Sequence, residues 1–347
     1  MIGDPFPCAE VAAVDVLEEL GASIVCANDP PWTSFRRAHG ARLRETWRVV
    51  SAQDMDLHHL EAVAADLRTD ARVGDSSVVG FGGGTALDTA KFLAWRLERP
   101  LVQILTLTSV DAGFTDAVGV RDAGRVRYIG QVRPDLVVLD LVLIRGAPVA
   151  LNRAGIGDIL SCHTGLCDWR LAADAGHGPP WDDDLAALGA DLLDELEAAS
   201  ADIAAVTDGG VRFLADAYRR IGAACAWAGH SRFEEGSEHF WAYAYEHRTG
   251  ARLLHGELIA LAVCALAHVQ GNDPSRARRI VSDSMARAHP EDLGIDEVPF
   301  RGCLRDLGAY ARAEDLDVSV ADLRPITESQ IDAAWAFVNT LPRAVVP

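Results

Sequence analysis

Three consecutive glycines, set between a β-branched run and a helix of apolar spacing, constrain this chain more than any other stretch. The residues are Ser77-Val78-Val79-Gly80-Phe81-Gly82-Gly83-Gly84-Thr85-Ala86-Leu87-Asp88-Thr89-Ala90-Lys91. Glycines where strand meets helix let the backbone approach a ligand closely, and the free N–H groups at the positive helix end attract an anion. A dinucleotide pyrophosphate is the natural occupant. A tight corner with no ligand satisfies the same residues, and the spacing departs from GxGxxG. The turn alone leaves both readings open.

Upstream, Val11, Val14, Leu17 and Leu20 have helical spacing over residues 8–20, with Gly21 as a stop. Strands are expected at 23–27, 46–50, just before the glycines from Ser77, and at 101–107, with helices over 55–67 and 85–97 and a break at Asn28-Asp29-Pro30-Pro31. This alternation implies a mainly parallel sheet with helices on both faces, whose ligands sit outside the carboxyl ends of the strands. The glycine turn, Asn28-Asp29 and the segment after Leu107 all fall at that edge. Residues 118–121 and 126–130 read as a hairpin around Asp122-Ala123-Gly124, and 136–139 as one more strand. Beyond about residue 147 helical periods dominate, near 156–174, 182–200, 208–228, 256–270 and 275–288. The expected organisation is an α/β Rossmann-like domain over residues 1–148 followed by an all-α domain over 149–347. Asp182-Asp183-Asp184 reads as a helix N-terminus, where carboxylates complement the dipole, and not as a metal site.

A length of 347 residues fits two domains, and a net charge of −19 argues against nucleic acid or an anionic membrane as partner. Lys91 is the only lysine. It is the sole candidate for any task needing an ammonium, or a helix residue with no special task. No signal peptide is recognisable at the start, and no apolar stretch reaches the roughly 20 residues of a membrane span. The seven cysteines lack CxxC spacing, so reduced thiols and a cytoplasmic location are expected.

Three places in the helical half carry residues suited to chemistry. Gly155-Ile156-Gly157-Asp158 puts a carboxylate at a helix start, where it also reads as a cap. Glu235-Gly236-Ser237-Glu238-His239 is similar to the end of an HxxEH metalloprotease motif, but Glu235 holds the first position and the motif fails. His255-Gly256-Glu257 opens an apolar helix, and a single histidine there is more often structural than a ligand. An aspartate and two histidines from separate helices can converge on one divalent metal and leave a position open for substrate. Spacing does not decide it.

The order of these motifs resembles the iron-containing alcohol dehydrogenase superfamily, and within it the sn-glycerol-1-phosphate dehydrogenase and glycerol dehydrogenase branches, over roughly residues 10–275. Gly82-Gly83-Gly84, Asp88 and Lys91 match the GGGxxxDxxK turn, and Thr106-Leu107-Thr108-Ser109-Val110-Asp111-Ala112 with Thr115 matches TxxSxD[GA]. Gly157-Asp158-Ile159-Leu160-Ser161, Thr164, Asp168-Trp169-Arg170-Leu171-Ala172, Ser231-Arg232, Gly236-Ser237-Glu238-His239 and His255-Gly256 are similar to the glycerol-1-phosphate branch. The resemblance implies the dehydroquinate synthase-like fold of that superfamily, NAD or NADP as cofactor, and Zn²⁺ or Fe²⁺ held by Asp158, His239 and His255. It implies cofactor contacts at Gly82, Gly83, Gly84, Asp88, Thr106, Ser109 and Thr115, and Asp111 at the substrate near the metal. The implied reaction is hydride transfer between nicotinamide and a small polyol or ketone, phosphorylated or not. Homo-oligomers are common among such relatives.

The departures are specific. Leu105-Thr106 replaces Pro-Thr, and Val110 and Ala112 replace the histidine and glycine of Ser-His-Asp-Gly. Arg232-Phe233-Glu234-Glu235 precedes Gly236 where the glycerol-1-phosphate branch has Arg-Pro-Ala-Ser, and two carboxylates oppose a phosphate unless they point away. Arg232 either clamps an anionic substrate group or pairs with one of these glutamates. Asp29, after the first strand, either hydrogen-bonds a ribose hydroxyl and favours NADH, or belongs only to a turn. Two alternatives compete. A dehydroquinate synthase-like cyclase uses a glutamate at the first metal position and several lysines, against Asp158 and Lys91 here. A non-catalytic dinucleotide-binding relative has no physical reason to keep all three metal ligands.

Overall fold

The structure, a computed structural model, describes residues 5–21, 23–43 and 48–344. They divide into two compact units at Pro148 and Val149. Unit 1 contains β1 (Cys8–Glu10), α1 (Ala13–Leu20), β2 (Ser23–Ala27), α2 (Pro31–His39), β3 (Arg48–Ser51), α3 (Leu57–Thr69) and β4 (Ser77–Gly82). It continues through α4 (Gly84–Leu97), β5 (Leu101–Leu105), β6 (Ala117–Asp122), β7 (Arg125–Gln131), β8 (Leu136–Leu139) and α5 (Leu141–Arg145). Six strands form a parallel sheet in the order β1-β8-β5-β4-β2-β3, and β6 and β7 pair separately as an antiparallel hairpin.

Side chains alternate across a strand, and here both faces are covered, so the central strands read as unbroken apolar runs. Ile24, Cys26 and Val78 join one core with Leu60, Ala64 and Leu93, whereas Val25, Ala27, Val79 and Phe81 join the other with Leu17, Trp32 and Phe35. The chain runs from β2 through α2 to β3 on one side, then through α3 back to β4 on the other. Helices α2 and α4 therefore leave neighbouring strand ends for opposite faces. Parallel sheets bind ligands at such a reversal.

The amino-terminal segment differs from its expected single helix. Cys8–Glu10 hydrogen-bonds alongside Val137–Leu139 as an edge strand, and the helix begins only at Ala13. The break expected at Pro30-Pro31 is the start of α2, because Pro31 at the first helical position loses no needed N–H. The strand from Leu101 ends at Leu105, where the Thr106 N–H turns to Gly82 O at 3.1 Å. The strand expected at 46–50 is seen at Arg48–Ser51, and residues 46 and 47 lie outside the described residues.

The described residues of unit 2 contain helices and no strand. Its elements are α6 (Val149–Arg153), α7 (Gly157–Leu160), α8 (Cys162–Asp174), α9 (Asp183–Ala205), α10 (Asp208–Ala228) and α11 (Ser237–Thr249). They are followed by α12 (His255–Gln270), α13 (Pro274–Asp283), α14 (Pro290–Leu293), α15 (Glu297–Ala313), α16 (Val320–Leu323) and α17 (Glu328–Val338). Asp182 caps α9 by accepting from the N–H groups of Asp184 and Leu185, at 2.9 and 3.0 Å. Helix α12 is the centre of the unit. Every residue from Gly256 to Ala267 is buried, and it packs on α7, α11, α13 and α17.

The contact of α12 with α7 depends on two glycines. A methyl group on Gly157 would lie 2.5 Å from both the Cα and the carbonyl oxygen of Gly256. Backbone cannot rotate away as a side chain can. Gly157→Ala is expected to destabilise unit 2 by about 1–3 kcal/mol, the usual range for overpacking, and to lower its melting temperature by several degrees. Thermal denaturation measures this, and an unchanged melting temperature would mean the helices separate without loss.

Candidate metal centre and glycine turn

The glycine contact places a candidate ligand residue on each side of it. Asp158 follows Gly157 on α7, and His255 precedes Gly256 at the first position of α12. Asp158 Oδ1 lies 3.3 Å from His255 Nε2. The Tyr218 hydroxyl donates to Gly155 O at 2.6 Å and the Ser161 hydroxyl to Asp158 O at 2.7 Å, which fixes the short helix that carries the carboxylate.

The third residue arrives on α11. Asp168, wholly buried on α8, accepts the Ser237 N–H at 2.7 Å and so holds the first turn of α11. Gly236 allows this approach, since a methyl group there would lie 2.8 Å from Asp168 Oδ2. His239, in the first turn of α11, has its ring centroid 5.3 Å from that of His255. One ligand atom from each of Asp158, His239 and His255 lies within 4.8 Å of the other two. Asp158 and His239 are buried, and His255 is half-buried.

Glu238 orients the histidine. Its Oε1 lies 2.9 Å from His239 Nδ1 and accepts the Gly236 N–H at 2.6 Å, while its Oε2 accepts the Thr164 hydroxyl at 2.6 Å. This leaves His239 Nε2 as the nitrogen that Glu238 does not engage. A carboxylate on the far nitrogen fixes the tautomer and makes the ring a better metal ligand.

Unit 1 carries the glycine turn at the carboxyl ends of β4 and β2. A methyl group on Gly82 would lie 2.6 Å from Ala86 Cβ and 2.9 Å from Asn28 Oδ1, and one on Gly84 would lie 2.9 Å from Val110 Cγ1. Helix α4 starts at Gly84 with no side-chain cap. Thr106 Oγ1, at the end of β5, is buried with no hydrogen-bond partner among the described residues. Ser109 is buried, and Asp111 opens a short 3₁₀ turn ending at Phe114. Lys91 is buried, pairs with Asp88 at 2.9 Å and donates to the Thr115 hydroxyl at 2.7 Å. It thus links two residues expected to touch cofactor.

Two expected residues have local partners. Asp29 Oδ1 accepts the Thr33 N–H at 3.2 Å and the Thr33 hydroxyl at 2.7 Å, which ties it to the first turn of α2. Arg232 is buried and donates to Glu235 O at 3.3 Å and Val318 O at 2.7 Å. Both acceptors are backbone, so the arginine meets neither glutamate carboxylate by a hydrogen bond here. Glu235 instead accepts from the Ser231 and Tyr243 hydroxyls, at 2.7 and 2.8 Å.

Comparison with known proteins places this arrangement. The family model for iron-containing alcohol dehydrogenases matches residues 35–148. A glycerol-1-phosphate dehydrogenase (NAD(P)+) of Sulfolobus acidocaldarius is 32% identical over 263 residues, covering 75% of this chain and 72% of that protein. One of Thermofilum pendens is 30% identical over 320 residues, covering 88% of each. The chain belongs to the iron-containing alcohol dehydrogenase superfamily. The superfamily fold extends over nearly all of it. A probable glycerol dehydrogenase from Sinorhizobium meliloti 1021 superposes with a TM-score of 0.72 at 20% identity, covering 96% of this chain and 97% of that one.

In this member of the superfamily the site is electrostatically prepared for a cation. Burial favours neutral His239, but the Glu238 hydrogen bond, with the charges of Glu235, Glu238 and Glu234, pushes its pKa up to about 10. Burial also opposes ionisation of Glu238, yet the hydrogen bond and charge of His239 and the Thr164 hydroxyl hold its carboxyl below the usual range. A raised histidine pKa stabilises the metal-free fold below pH about 6.5, and the contribution is lost as pH rises through about 10. An ion held by His239 would displace that proton. Zinc binding at pH 7 is therefore expected to release about one proton per ion, read by calorimetry in buffers of different ionisation heat. Binding without proton release would mean that His239 carries no extra proton in the metal-free protein at that pH.

Proposed function

We propose that the chain is a metal-dependent, NAD(P)-linked dehydrogenase moving hydride between nicotinamide and a small polyol or ketone, with Asp158, His239 and His255 as its metal ligands. The convergence of these three side chains carries the reading. One anionic oxygen and two imidazole nitrogens suit Zn²⁺ or Fe²⁺ and leave a coordination position open, and we assign Zn²⁺. Such an ion supplies Lewis acidity toward a carbonyl or alkoxide oxygen, and the nicotinamide carries the hydride.

The chain's own residues do the rest. In unit 1, the uncapped start of α4 at Gly82, Gly83 and Gly84 offers backbone N–H groups to a pyrophosphate. Thr106 brings a hydroxyl with no protein partner among the described residues, the kind of group a bound ligand satisfies. Lys91 braces Asp88 and Thr115, and the Thr115 hydroxyl keeps its own proton to donate. Ser109 lies along the same cofactor, and Asp111 is assigned to substrate. In unit 2, Glu238 holds His239 in one tautomer, so the ligand set needs no rearrangement to receive an ion. A cytoplasmic homo-oligomer is part of the proposal. Its cytoplasmic part is supported by the seven free cysteines.

On phosphorylation two observations pull apart. The curated relatives are glycerol-1-phosphate dehydrogenases. Against a dianion stand Glu234 and Glu235, whose charges reach His239. Zinc-reconstituted protein is expected to oxidise reduced nicotinamide with dihydroxyacetone or dihydroxyacetone phosphate, and His255→Ala to lose both ion and turnover while keeping dinucleotide binding. Preference for the phosphate would mean that the glutamates face away from the substrate, and turnover only without it would make them a specificity device. A metal-replete, active His255→Ala would overturn the ligand assignment.

The proposal takes NADH over NADPH because Asp29 sits just past β2 with only Oδ1 held by Thr33. Asp29→Ala is expected to raise the NADPH-to-NADH ratio of kcat/KM. An unchanged ratio would leave Asp29 as a helix-start residue alone.

A further inference from the structure

Two buried side chains of opposite charge reach the same pair of backbone segments. Arg232, 2% exposed, donates through Nη1 to Glu235 O at 3.3 Å and through Nη2 to Val318 O at 2.7 Å. Its Nε lies 4.0 Å from Asp317 Oδ2. Asp168, 0% exposed, accepts the Ser237 N–H on Oδ2 and the Val320 N–H on Oδ1, each at 2.7 Å. One segment, 231–237, leads into the helix that bears His239, and the other, 317–320, leads into α16. The two segments are far apart in sequence, with Arg232 and Val318 separated by 86 residues. Arginine holds their carbonyls, and aspartate holds their N–H groups.

The geometry points to a latch: Arg232 and Asp168 lock the 317–320 segment against the loop before His239 and thereby fix that ligand. Arg232 is then a positioning residue and not a clamp on substrate. Its planar fork suits two carbonyls in fixed directions, which a lysine ammonium cannot bridge in the same way. A ligand anion would have to compete for a guanidinium that is already buried and bonded. Asp168 has no free oxygen either. Each of its oxygens serves one helix start, and Gly165 and Gly236 approach closely enough that a methyl group on Gly236 would lie 3.0 Å from Gly165 Cα. The carboxylate is kept although burial and the nearby Glu238 charge push its pKa up to about 6.

This inference rests on the metal reading proposed above, and chelator-competition measurement of zinc affinity separates the two. Wild-type protein that binds no divalent ion overturns the metal reading before any variant is made. Given wild-type binding, Arg232→Lys and Asp168→Asn are each expected to weaken zinc about 10–100-fold, the range for residues that orient a ligand. Turnover of phosphorylated and unphosphorylated ketone is expected to fall by the same factor. A purely structural role would lower the melting temperature without moving the zinc affinity of the folded protein. Wild-type zinc affinity with a selective loss of the phosphorylated ketone in Arg232→Lys would make this residue a substrate clamp and sink the latch. Hydrogen exchange on the wild type needs no variant. Zinc is expected to protect the Ser237 and Val320 amides together, and protection of Ser237 alone would also refute the coupling.

Discussion

Asp158 and His255, almost a hundred residues apart, meet only because the backbones that carry them come close, and Gly157 against Gly256 is that approach. A side chain on Gly157 would part α7 from α12 and take Asp158 away from His255. What presses the two helices together is the burial of α12, where Leu258, Ile259, Leu261, Val263 and Leu266 are all at most 1% exposed. Burying a large aliphatic side chain is worth about 1.5–3 kcal/mol. The site is thus built on a helix buried without a break from Gly256 to Ala267, with half-buried His255 at its start. Ligands on anchored helices hold their geometry better than ligands on loops.

The charges around that geometry explain its chemistry. Asp158, Glu238 and Glu234 are buried and Glu235 is half-buried, beside the buried Arg232 and His239. Arg232 is turned to backbone carbonyls. The remaining negative charge acts on His239, which is why the imidazole keeps its proton so far above its ordinary pKa. A proton supplies one positive charge to a cluster that holds several negative ones. A dication supplies two, at the point where the ligand atoms converge, in surroundings where Coulomb interactions are much less screened than in water.

Much of this was legible in the sequence, for identifiable reasons. The parallel strands are continuous β-branched runs because both faces are covered, and the glycines, Asp158, His239 and His255 stood in an order that marked them. Helix α11 was not legible. Its ten residues from Ser237 to Glu246 are all buried, and they mix Glu238, His239, Tyr243 and Glu246 with aromatics, so no apolar stripe with helical period exists. Helix α17 had a readable signal, the capping box of Thr327 and Gln330, that apolar period alone passes over. Asp168 falls within a recognisable motif, but its task lies in backbone N–H groups 69 and 152 residues away, which no local pattern encodes.

The two units solve a similar problem with the same means. Each needs backbone to come close to backbone or ligand, and each has glycines there that a single methyl group would block. Glycine gives close approach but no adhesion, so each also has one buried cation that ties neighbouring segments. In unit 2 it is Arg232, whose fork spans two carbonyls. In unit 1 it is Lys91, which joins Asp88 on its own helix to Thr115 just past the 3₁₀ turn. The chain uses arginine for every other permanent positive side chain. A compact ammonium with rotatable donors fits between a carboxylate one helical turn away and a hydroxyl, where a planar guanidinium would need a wider gap. The lone lysine is therefore explained by shape as much as by charge.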